Sequence, residues 1–377
     1  MASAPGSLGQ LEPHVATMEL EHRVGQLLFI GLPGTEFDRA ARELVETIQP
    51  GGVVLLPRNI ESGSQLVELT SSIRSAASVP PLLAIDQEGG PVDRLKSIFG
   101  PTPSADLLRA AKDASVAARL GEITAECLRT LGFNVNLAPV LDLAFDDSID
   151  NGLKGRYLGN LAAEVARLSG AYLEGLQRGG VVGAGKHFPG LGAATVNSHL
   201  ALPTIDRSRD QILNQDLLPY SELFSKINAR LNAVIVGHGH YPAYDGPAAL
   251  PATLSKNIVT GLLREELDFK GLTLTDDMSM GAVTATRELN EAVVVALEAG
   301  NDMVMVLGEP DQITGAWRAM CQAASDGRIS RQRISKSFDN IARVKSSISP
   351  PHALTELSAS RLKERIAELN LALQQPR

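Results

Sequence analysis

Ionisable side chains stand at the ends of several short apolar runs in this sequence. Asp86, His187, His238 and Asp276 each close such a run. A carboxylate in this position can serve as a nucleophile or a base, and an imidazole can carry a proton. The pattern therefore predicts a polar site that is assembled from the ends of separate strands.

Two adjacent carboxylates, Asp276 and Asp277, end one of these runs. Successive side chains of a strand point to opposite faces, so only one of the two can face a common site. We expect that one to act as a nucleophile or a base. The other is expected to cap the following helix, where a carboxylate is stabilising.

The segment Gly185–Gly192 is a glycine-rich loop that follows a predicted strand. Such a loop bends sharply or lies close to a ligand. Lys186 and His187 can donate hydrogen bonds to hydroxyl or carbonyl oxygens of a bound molecule. Alternatively, Lys186 only pairs with a carboxylate at a neighbouring strand end and shapes the fold.

His199 belongs to the polar stretch Asn197-Ser198-His199. A histidine on a polar loop has no apolar surface to cover, and its ordinary pKa suits general acid or base catalysis. The residues alone leave a proton carrier and a plain loop residue equally open.

Asp86 opens the segment Asp86–Gly90, and Arg94 follows shortly after it. A carboxylate and a guanidinium together can hold neighbouring hydroxyls of a sugar. A simple ion pair between the two at the rim of the site is an equal alternative.

His238-Gly239-His240 could, together with Asp276, hold a metal ion in a hydrolytic site. No further ligand pattern supports this alternative, and Cys127 and Cys321 resemble neither a disulfide framework nor a thiolate metal site. We therefore predict no metal and no other cofactor.

The apolar runs alternate with longer amphipathic stretches, and glycine and proline mark the joints between them. The predicted strands are Val24–Leu32, Gly52–Leu56, Pro81–Asp86, Phe133–Leu143, Val182–His187, Ala233–His238, Gly271–Asp276 and Asp302–Leu307. The predicted helices include Asp106–Leu131, Leu161–Arg178, Arg207–Ile227 and Arg287–Ala299.

Eight strands that alternate with helices fit an α/β fold, either a closed (β/α)8 TIM-type barrel or an open doubly wound sheet. In a parallel barrel all strand ends meet at one mouth, whereas an open sheet offers a single switch point. Five strands end in ionisable residues, so we predict the barrel. Those residues are Asp86, Asp142, Lys186-His187, His238 and Asp276.

The barrel is predicted as a single domain over residues 20–348, with an N-terminal arm at 1–19 and a C-terminal helical extension at 349–377. In the extension, Leu362, Ile366, Leu369 and Leu373 recur at helical spacing. This stripe is expected to pack back on the barrel. A partner helix in a homodimer is the less favoured alternative, so we predict a monomer or a homodimer.

The composition of the 377-residue chain is that of a folded protein, with 44% hydrophobic and 21% charged residues. The 35 Lys and Arg residues against 43 Asp and Glu residues give a net charge of −8, which argues against a nucleic-acid partner. No run reaches the roughly 18 apolar residues of a membrane span, and the first residues lack the pattern of a signal peptide. We expect a cytoplasmic protein without a membrane partner.

A set of motifs follows a fixed order from about residue 20 to about residue 345. It comprises Gly25-Gln26, Pro33-Gly34, Asp86–Gly90, Asn136–Pro139 with Asp142, Lys186–Gly190, Ser198-His199, Tyr241-Pro242 and Pro251–Ala282. In this combination the chain resembles glycoside hydrolase family 3, in particular the single-domain bacterial β-N-acetylglucosaminidases (β-N-acetylhexosaminidases) of cell-wall recycling.

This resemblance implies a retaining β-glycosidase that is built on a (β/α)8 barrel and needs no metal. By position, Asp276 is implied to be the nucleophile that forms a glycosyl-enzyme. His199 is implied to be the acid/base, in place of the second carboxylate of most retaining enzymes. Asp277 is left with a structural role. The residues implied to bind the N-acetylglucosamine ring are Asp86, Arg94, Arg156, Lys186 and His187.

The chain departs from the family's usual pattern around the acid/base. Asn197 stands where the family has an Asp, so it can orient the imidazole of His199 but cannot stabilise an imidazolium. A loop without acidic groups also repels anions less, so phosphate could compete with water at the glycosyl-enzyme. Further departures are Leu191 for a His, Ala193-Ala194 for Asp-Thr, Pro91 for an Arg and Gly155 for an Asp.

We therefore predict a hydrolase that removes terminal β-linked N-acetylglucosamine from cell-wall fragments or related amino sugars. One alternative is a family member that acts on another β-glycoside, such as a glucoside or a xyloside. Another is a catalytically weak sugar-binding protein. Asn197 supports that last alternative, and the presence of both Asp276 and His199 speaks against it.

Overall fold

The computed structural model describes residues 18–146, 148–227 and 229–374. Eight parallel strands form a closed barrel, which confirms the predicted fold class. In order around the barrel the strands are β1 (Leu28–Gly31), β2 (Gly52–Val54), β3 (Leu82–Ile85), β6 (Val135–Asn136), β7 (Val182–Phe188), β8 (Ala233–Val236), β9 (Leu272–Asp277) and β10 (Met303–Val306), which pairs with β1.

The barrel strands are buried along almost their whole length. Every residue of β1, β2, β3, β7, β8 and β10 is buried. This burial explains the near-continuous apolar runs, because a parallel sheet that is covered on both faces offers its side chains no solvent. The ionisable residues that were predicted to form the site stand where the strands finish, at the mouth of the barrel.

Helices surround the barrel and connect its strands. They are α1 (Leu20–Gly25), α2 (Arg39–Ile48), α3 (Gly63–Ala76), α4 (Lys96–Phe99), α5 (Ala105–Ala111), α6 (Ala114–Thr130), α7 (Ala162–Arg178), α8 (Arg209–Gln211), α9 (Leu218–Ser225), α10 (Pro242–Asp245), α11 (Gly281–Thr284), α12 (Leu289–Ala299), α13 (Pro310–Ser325), α14 (Arg331–Ser346) and α15 (Glu356–Gln374). Two π-helical segments, Ile212–Asp216 and Asn257–Glu266, lie before α9 and before β9.

Two predicted strands, Val24–Leu32 and Phe133–Leu143, exceed the observed ones by the most. Val24 and Gly25 belong to α1, because a short apolar run does not by itself distinguish a helix from a strand. The predicted strand Phe133–Leu143 reduces to β6 and an isolated bridge at Val140. Pro139 interrupts it, since proline has no N–H to donate to a sheet.

Two predicted helices are divided in the structure. The predicted helix Asp106–Leu131 is divided into α5 and α6. Lys112 ends α5 in a left-handed conformation with φ 50°, and the side chain of Asp113 accepts hydrogen bonds from the first amides of α6. The predicted helix Arg207–Ile227 is likewise divided into α8, a π-helical segment and α9. A β-hairpin that was not predicted follows β3 and consists of β4 (Gln87–Gly89) and β5 (Val92–Asp93).

The C-terminal helix α15 lies against α4, α5 and α6. It buries Leu362, Ile366 and Leu369, three of the four residues of the predicted stripe. The Asn370 side chain donates to the carbonyl of Pro101, in the connection between α4 and α5. Residues 1–17 of the predicted arm lie outside the described residues.

Within the described ranges, no helix combines the length and the apolar content that crossing a bilayer requires. In the same part of the chain, no three His, Cys, Asp or Glu side chains are grouped so as to hold a metal ion.

Candidate active site

A cavity of about 500 Å³ opens at the mouth of the barrel. Strands β7, β8, β9 and β10, the hairpin and the loops that follow strand ends supply its walls. All eight predicted site residues line this cavity: Asp86, Arg94, Arg156, Lys186, His187, Asn197, His199 and Asp276.

A compact ion network forms one wall of the cavity. The Lys186 ammonium lies 2.6 Å from a carboxylate oxygen of Asp86 and 2.6 Å from one of Glu88. Arg156 binds Glu88 through two hydrogen bonds of 2.8 Å each. Glu88 was not predicted as a site residue, although it lies in the segment Asp86–Gly90 that drew attention to Asp86.

The network keeps its members charged although they are buried. Burial alone would raise the pKa of Glu88, but Lys186 and Arg156 outweigh it and lower this pKa to about 2. Burial would lower the pKa of Lys186, yet Asp86 and Glu88 raise it above its ordinary value. Lys186 therefore pairs with the strand-end Asp86 and with Glu88 of the hairpin, and it presents a fixed positive charge to the cavity.

The alternative of an ion pair between Asp86 and Arg94 is wrong, because Asp86 pairs with Lys186 instead. Arg94 is held by its backbone, whose N–H donates to the side chain of Gln87. Its buried Nε has no hydrogen-bond partner among the described residues. A buried guanidinium N–H at a cavity wall is a donor that a bound hydroxyl can satisfy.

His187 is fixed by the buried carboxylate of Asp142, which the sequence marked as a strand end and as part of a motif but not as a site residue. The Nδ1 of His187 lies 2.6 Å from Asp142, which also accepts from the amides of His187 and Leu191. The carboxylate orients the imidazole and holds the start of the following loop. Its position at the end of a predicted strand was the signal that could have identified it.

Asp276 and Asp277 divide their roles at the end of β9. Burial would raise the pKa of Asp276, but the neighbouring His187 and His238 and the amide of Asp277 lower it below its ordinary value. Asp276 thus presents an ionised carboxylate to the cavity. Asp277 accepts from Ser279 and from the amide of Leu307.

Asp277 is structural but not a helix cap, so the expected capping was wrong. The cap position of the next helix, α11, is Met280. The carboxylate of Asp277 instead ties the turn after β9 to the residue that follows β10, Leu307. A carboxylate placed earlier than the cap cannot reach the first helical amides.

The imidazoles of His238 and His240 form hydrogen bonds within the protein. The fully buried His238 bonds to the Thr253 hydroxyl and to the carbonyl of Asp277, so both ring nitrogens are engaged. The Nδ1 of His240 accepts from the amide of Leu250. This geometry gives the metal-ion alternative no support, because a ligating nitrogen needs a free lone pair.

His199 lies on an exposed loop that lines the same cavity, and the side chain of Asn197 fixes its ring. Asn197 Oδ1 lies 2.9 Å from Nδ1 of His199 and also accepts from the His199 amide. Because an amide oxygen only accepts, Nδ1 carries its proton and Nε2 is the nitrogen that can exchange one. The expected orienting role of Asn197 agrees with this geometry.

Comparisons with known proteins identify relatives. Residues 19–344 match the model of the glycosyl hydrolase family 3 N-terminal domain. The beta-hexosaminidase of Idiomarina loihiensis is 31% identical over 325 residues, which are 84% of this chain and 96% of the relative. That of Nitrosomonas eutropha is 34% identical over 290 residues, 75% of this chain and 81% of the relative.

One solved structure has a similar fold over nearly the whole chain. It is a glycoside hydrolase family 3 beta-N-acetylglucosaminidase from Paenibacillus sp. strain FPU-7. The two chains superpose with a TM-score of 0.86 at 34% sequence identity, over 94% of this chain and 69% of the other.

Proposed function

The chain belongs to glycosyl hydrolase family 3, and from this premise we propose that it is a retaining β-N-acetylhexosaminidase. Its substrates are cell-wall fragments or related amino sugars that end in β-linked N-acetylglucosamine. The observation that carries the proposal is the cavity, in which the ionised Asp276 and the oriented His199 share one space.

Asp276 is the proposed nucleophile. Its carboxylate attacks the anomeric carbon, and the bond from that carbon to the leaving oxygen breaks as the covalent glycosyl-enzyme forms. The lowered pKa of Asp276 supports this role, because only the ionised carboxylate carries the electron pair that forms the new bond.

His199 is the proposed acid and base. Its Nε2 gives a proton to the departing oxygen in the first step and takes one from water in the second. The water oxygen then bonds to the anomeric carbon and frees the Asp276 carboxylate, so the sugar leaves with its original configuration. Asn197 holds the ring for both steps but supplies no charge to the imidazolium.

The remaining site residues are proposed to bind the sugar ring. Lys186 and Arg94 offer donors to ring hydroxyls, and Asp86, which is paired with Lys186, offers an acceptor. His187, oriented by Asp142, presents its second nitrogen to the same space. Arg156 acts mainly by holding Glu88, while its guanidinium also lines the cavity.

We also propose that the protein works in the cytoplasm as a monomer or a homodimer. The side chains of Cys127 and Cys321 are free thiols, which is usual for proteins of a reducing compartment. Cell fractionation and light scattering on the purified chain test the two statements.

The deciding experiment follows the release of p-nitrophenol from the N-acetyl-β-glucosaminide and, in parallel, from the β-glucoside. We expect turnover of the amino sugar that Asp276→Asn abolishes and that Asp150→Asn, at the rim of the same cavity, leaves in place. In Asp276→Ala, added azide should restore turnover and yield the α-glycosyl azide, because azide then takes the place of the carboxylate.

Other outcomes would redirect the proposal. Turnover of the glucoside alone would move the substrate to another β-glycoside. A wild-type protein that binds N-acetylglucosamine but turns over neither substrate would favour the sugar-binding alternative, which the neutral Asn197 supports. Formation of a sugar 1-phosphate on addition of phosphate would replace hydrolysis by phosphorolysis.

A further inference from the structure

Residues 191–203 form an excursion from the barrel that carries His199, and we call it the His199 loop. Its first turn is tied to a separate segment of the chain. The buried side chain of Asn151 donates from Nδ2 to the carbonyl of Ala194 at 3.0 Å and to that of Gly192 at 3.5 Å. Asn151 is itself fixed by the Tyr157 hydroxyl and by the Leu153 amide.

The next residue of that segment, Gly152, touches the side chain that orients the imidazole. Gly152 has a φ of +84°, and a Cβ placed there would lie 2.8 Å from Nδ2 of Asn197. This distance is shorter than any normal contact between these atoms. The close approach of Asn197 therefore requires a glycine at position 152.

The opposite side of the loop rests on the chain that follows the proposed nucleophile. The amide of Gly281 donates to the carbonyl of His199 at 3.1 Å, and the amide of Ala282 donates to that of Ser198 at 3.2 Å. These amides belong to the first turn of α11, where helical N–H groups lack partners within the helix. The loop thus spans the mouth between Asn151-Gly152 and α11.

The segment Asn151-Gly152 is also connected to the ion network of Glu88, Lys186 and Arg156. The carbonyl of Gly152 accepts from Arg156 at 2.8 Å, and the same guanidinium is bound to Glu88. A continuous line of contacts therefore runs from the buried ion network through Arg156 and Gly152 to Asn197. The contacts of Arg156 with Glu88 and with Gly152 are hydrogen bonds, and the contact of Gly152 with Asn197 is a close steric approach.

We propose that Asn151 and Gly152 are positioning residues for the acid/base: they form the seat on which the His199 loop rests, and they hold Asn197 where it aligns the imidazole. This inference rests on the proposed function of His199. It assigns a catalytic consequence to two residues that line the cavity and have no part in the chemical steps proposed above.

The test uses leaving groups that differ in their need for a proton. Phenyl N-acetyl-β-glucosaminide has a poor leaving group that requires the acid, whereas the dinitrophenyl glycoside has a good one that leaves without it. In Gly152→Ala and in Asn151→Ala we expect kcat for the phenyl glycoside to fall about 10-fold or more. The dinitrophenyl glycoside should retain a first-step rate close to that of the wild type.

Gly155→Ala is the matched control. Gly155, three residues after Gly152, also has a positive φ of +76°, but a Cβ there would meet Pro91 rather than the His199 loop. In Gly155→Ala, any loss of rate that comes from backbone strain alone should therefore be the same for the two glycosides. Asn151→Ala, which adds no such strain, keeps the test decisive if Gly152→Ala does not fold.

The positioning role would be contradicted if Gly152→Ala and Asn151→Ala slowed both glycosides equally, or if neither variant slowed the phenyl glycoside. A wild-type protein that turns over neither glycoside would instead contradict the proposed function. The variants thus test the positioning role, and the wild type tests the proposed function, in the same assay.

Discussion

At the scale of single residues, the cavity depends on Glu88, which compensates two buried cations at once. Replacing it by glutamine in Glu88→Gln leaves Lys186 with Asp86 alone and Arg156 without its two charged bonds. We expect the free energy of unfolding to fall by about 3 kcal/mol or more, because breaking a buried ion pair leaves an uncompensated charge. Urea denaturation measures this loss.

Glu46→Gln provides the surface counterpart of this change. Glu46 pairs with Arg42 at 3.5 Å on the outer face of α2, and both side chains are about half exposed. Its loss should change the free energy of unfolding by roughly 0.5 kcal/mol or less, since solvent screens an exposed pair. Similar losses in the two variants would mean that the buried network does not contribute as the geometry indicates.

Asn197 allows a second prediction at this scale, on the pH dependence of activity. A carboxylate in its place, Asn197→Asp, would stabilise the imidazolium form of His199 and raise the pKa of that imidazole. Because the first step needs His199 protonated, the alkaline limb of kcat/KM should move to higher pH. A pH–rate profile for p-nitrophenyl N-acetyl-β-glucosaminide shows the shift.

The companion variant is Asn197→Ala, which removes the orienting oxygen without adding a charge. It should lower kcat and leave the position of the alkaline limb where the wild type has it. An unchanged limb in Asn197→Asp would show that residue 197 does not interact with the proton-carrying ring.

The sequence identified the chemistry-bearing residues where a motif or a strand end marked them. Asp276 and His199 could be named because their neighbours in the chain resemble a known pattern, and Asn197 because it departs from that pattern. Glu88 and Asn151 could not be assigned, because their importance comes from partners far away in the chain. Glu88 meets Arg156 across 68 positions, and Asn151 meets Ala194 across 43.

At the scale of elements, α15 allows the contributions of its two faces to be separated. Ile366 is buried against the barrel helices, whereas Leu371 is 62% exposed on the same helix. We expect Ile366→Ala to lower the free energy of unfolding by roughly 2–4 kcal/mol through lost burial and a residual cavity. Leu371→Ala should change it by about 0.5 kcal/mol or less.

Urea denaturation of both variants, with kcat measured alongside, tests this assignment. Since α15 lies beyond residue 344, where the family match ends, kcat of the folded Ile366→Ala protein should equal that of the wild type. Equal destabilisation by the two substitutions would contradict the packing of α15 on α4, α5 and α6.

Strands inside a continuous apolar run were predictable from the sequence, and strands without such a run were not. Strands β2, β7 and β8 begin at the predicted residues, because an apolar run between glycines and helices leaves little choice. The hairpin β4–β5 has strands of three and two residues, which are too short to show any alternation. Its register depends instead on Gln87, whose side chain binds Asp93 and the amide of Arg94.

At the scale of the whole molecule, His238 and Glu88 should each lower stability on acidification, in two separate stages. His238 is fully buried, and burial lowers its pKa, so below the ordinary histidine range the unfolded chain binds a proton that the folded chain does not. The free energy of unfolding therefore decreases as the pH falls below about 6.5. The carboxylate of Glu88 adds a second decrease between pH 4.5 and about 2.

The difference between the wild type and His238→Gln isolates the first stage. Glutamine does not titrate, so the urea midpoint of this variant should vary less between pH 7 and pH 5 than that of the wild type. Parallel curves for the two proteins over this range would exclude His238 as the titrating group.

The closed barrel itself followed from the sequence because ionisable residues ended so many of the predicted strands. What the sequence left open is how the mouth is covered. The place of the His199 loop is set by amides of α11 and by Asn151, which are distant in the sequence and come together only when the barrel closes.

The ion network also has a consequence for inhibitor chemistry. Asp86 and Glu88 already hold Lys186 and Arg156, so a positively charged iminosugar would gain little from approaching them. Asp276 instead receives the amide of Asp277 and has no cationic side chain bonded to it among the described residues. Compounds with nitrogen at the anomeric position should therefore bind more tightly than isomers with nitrogen at the ring-oxygen position.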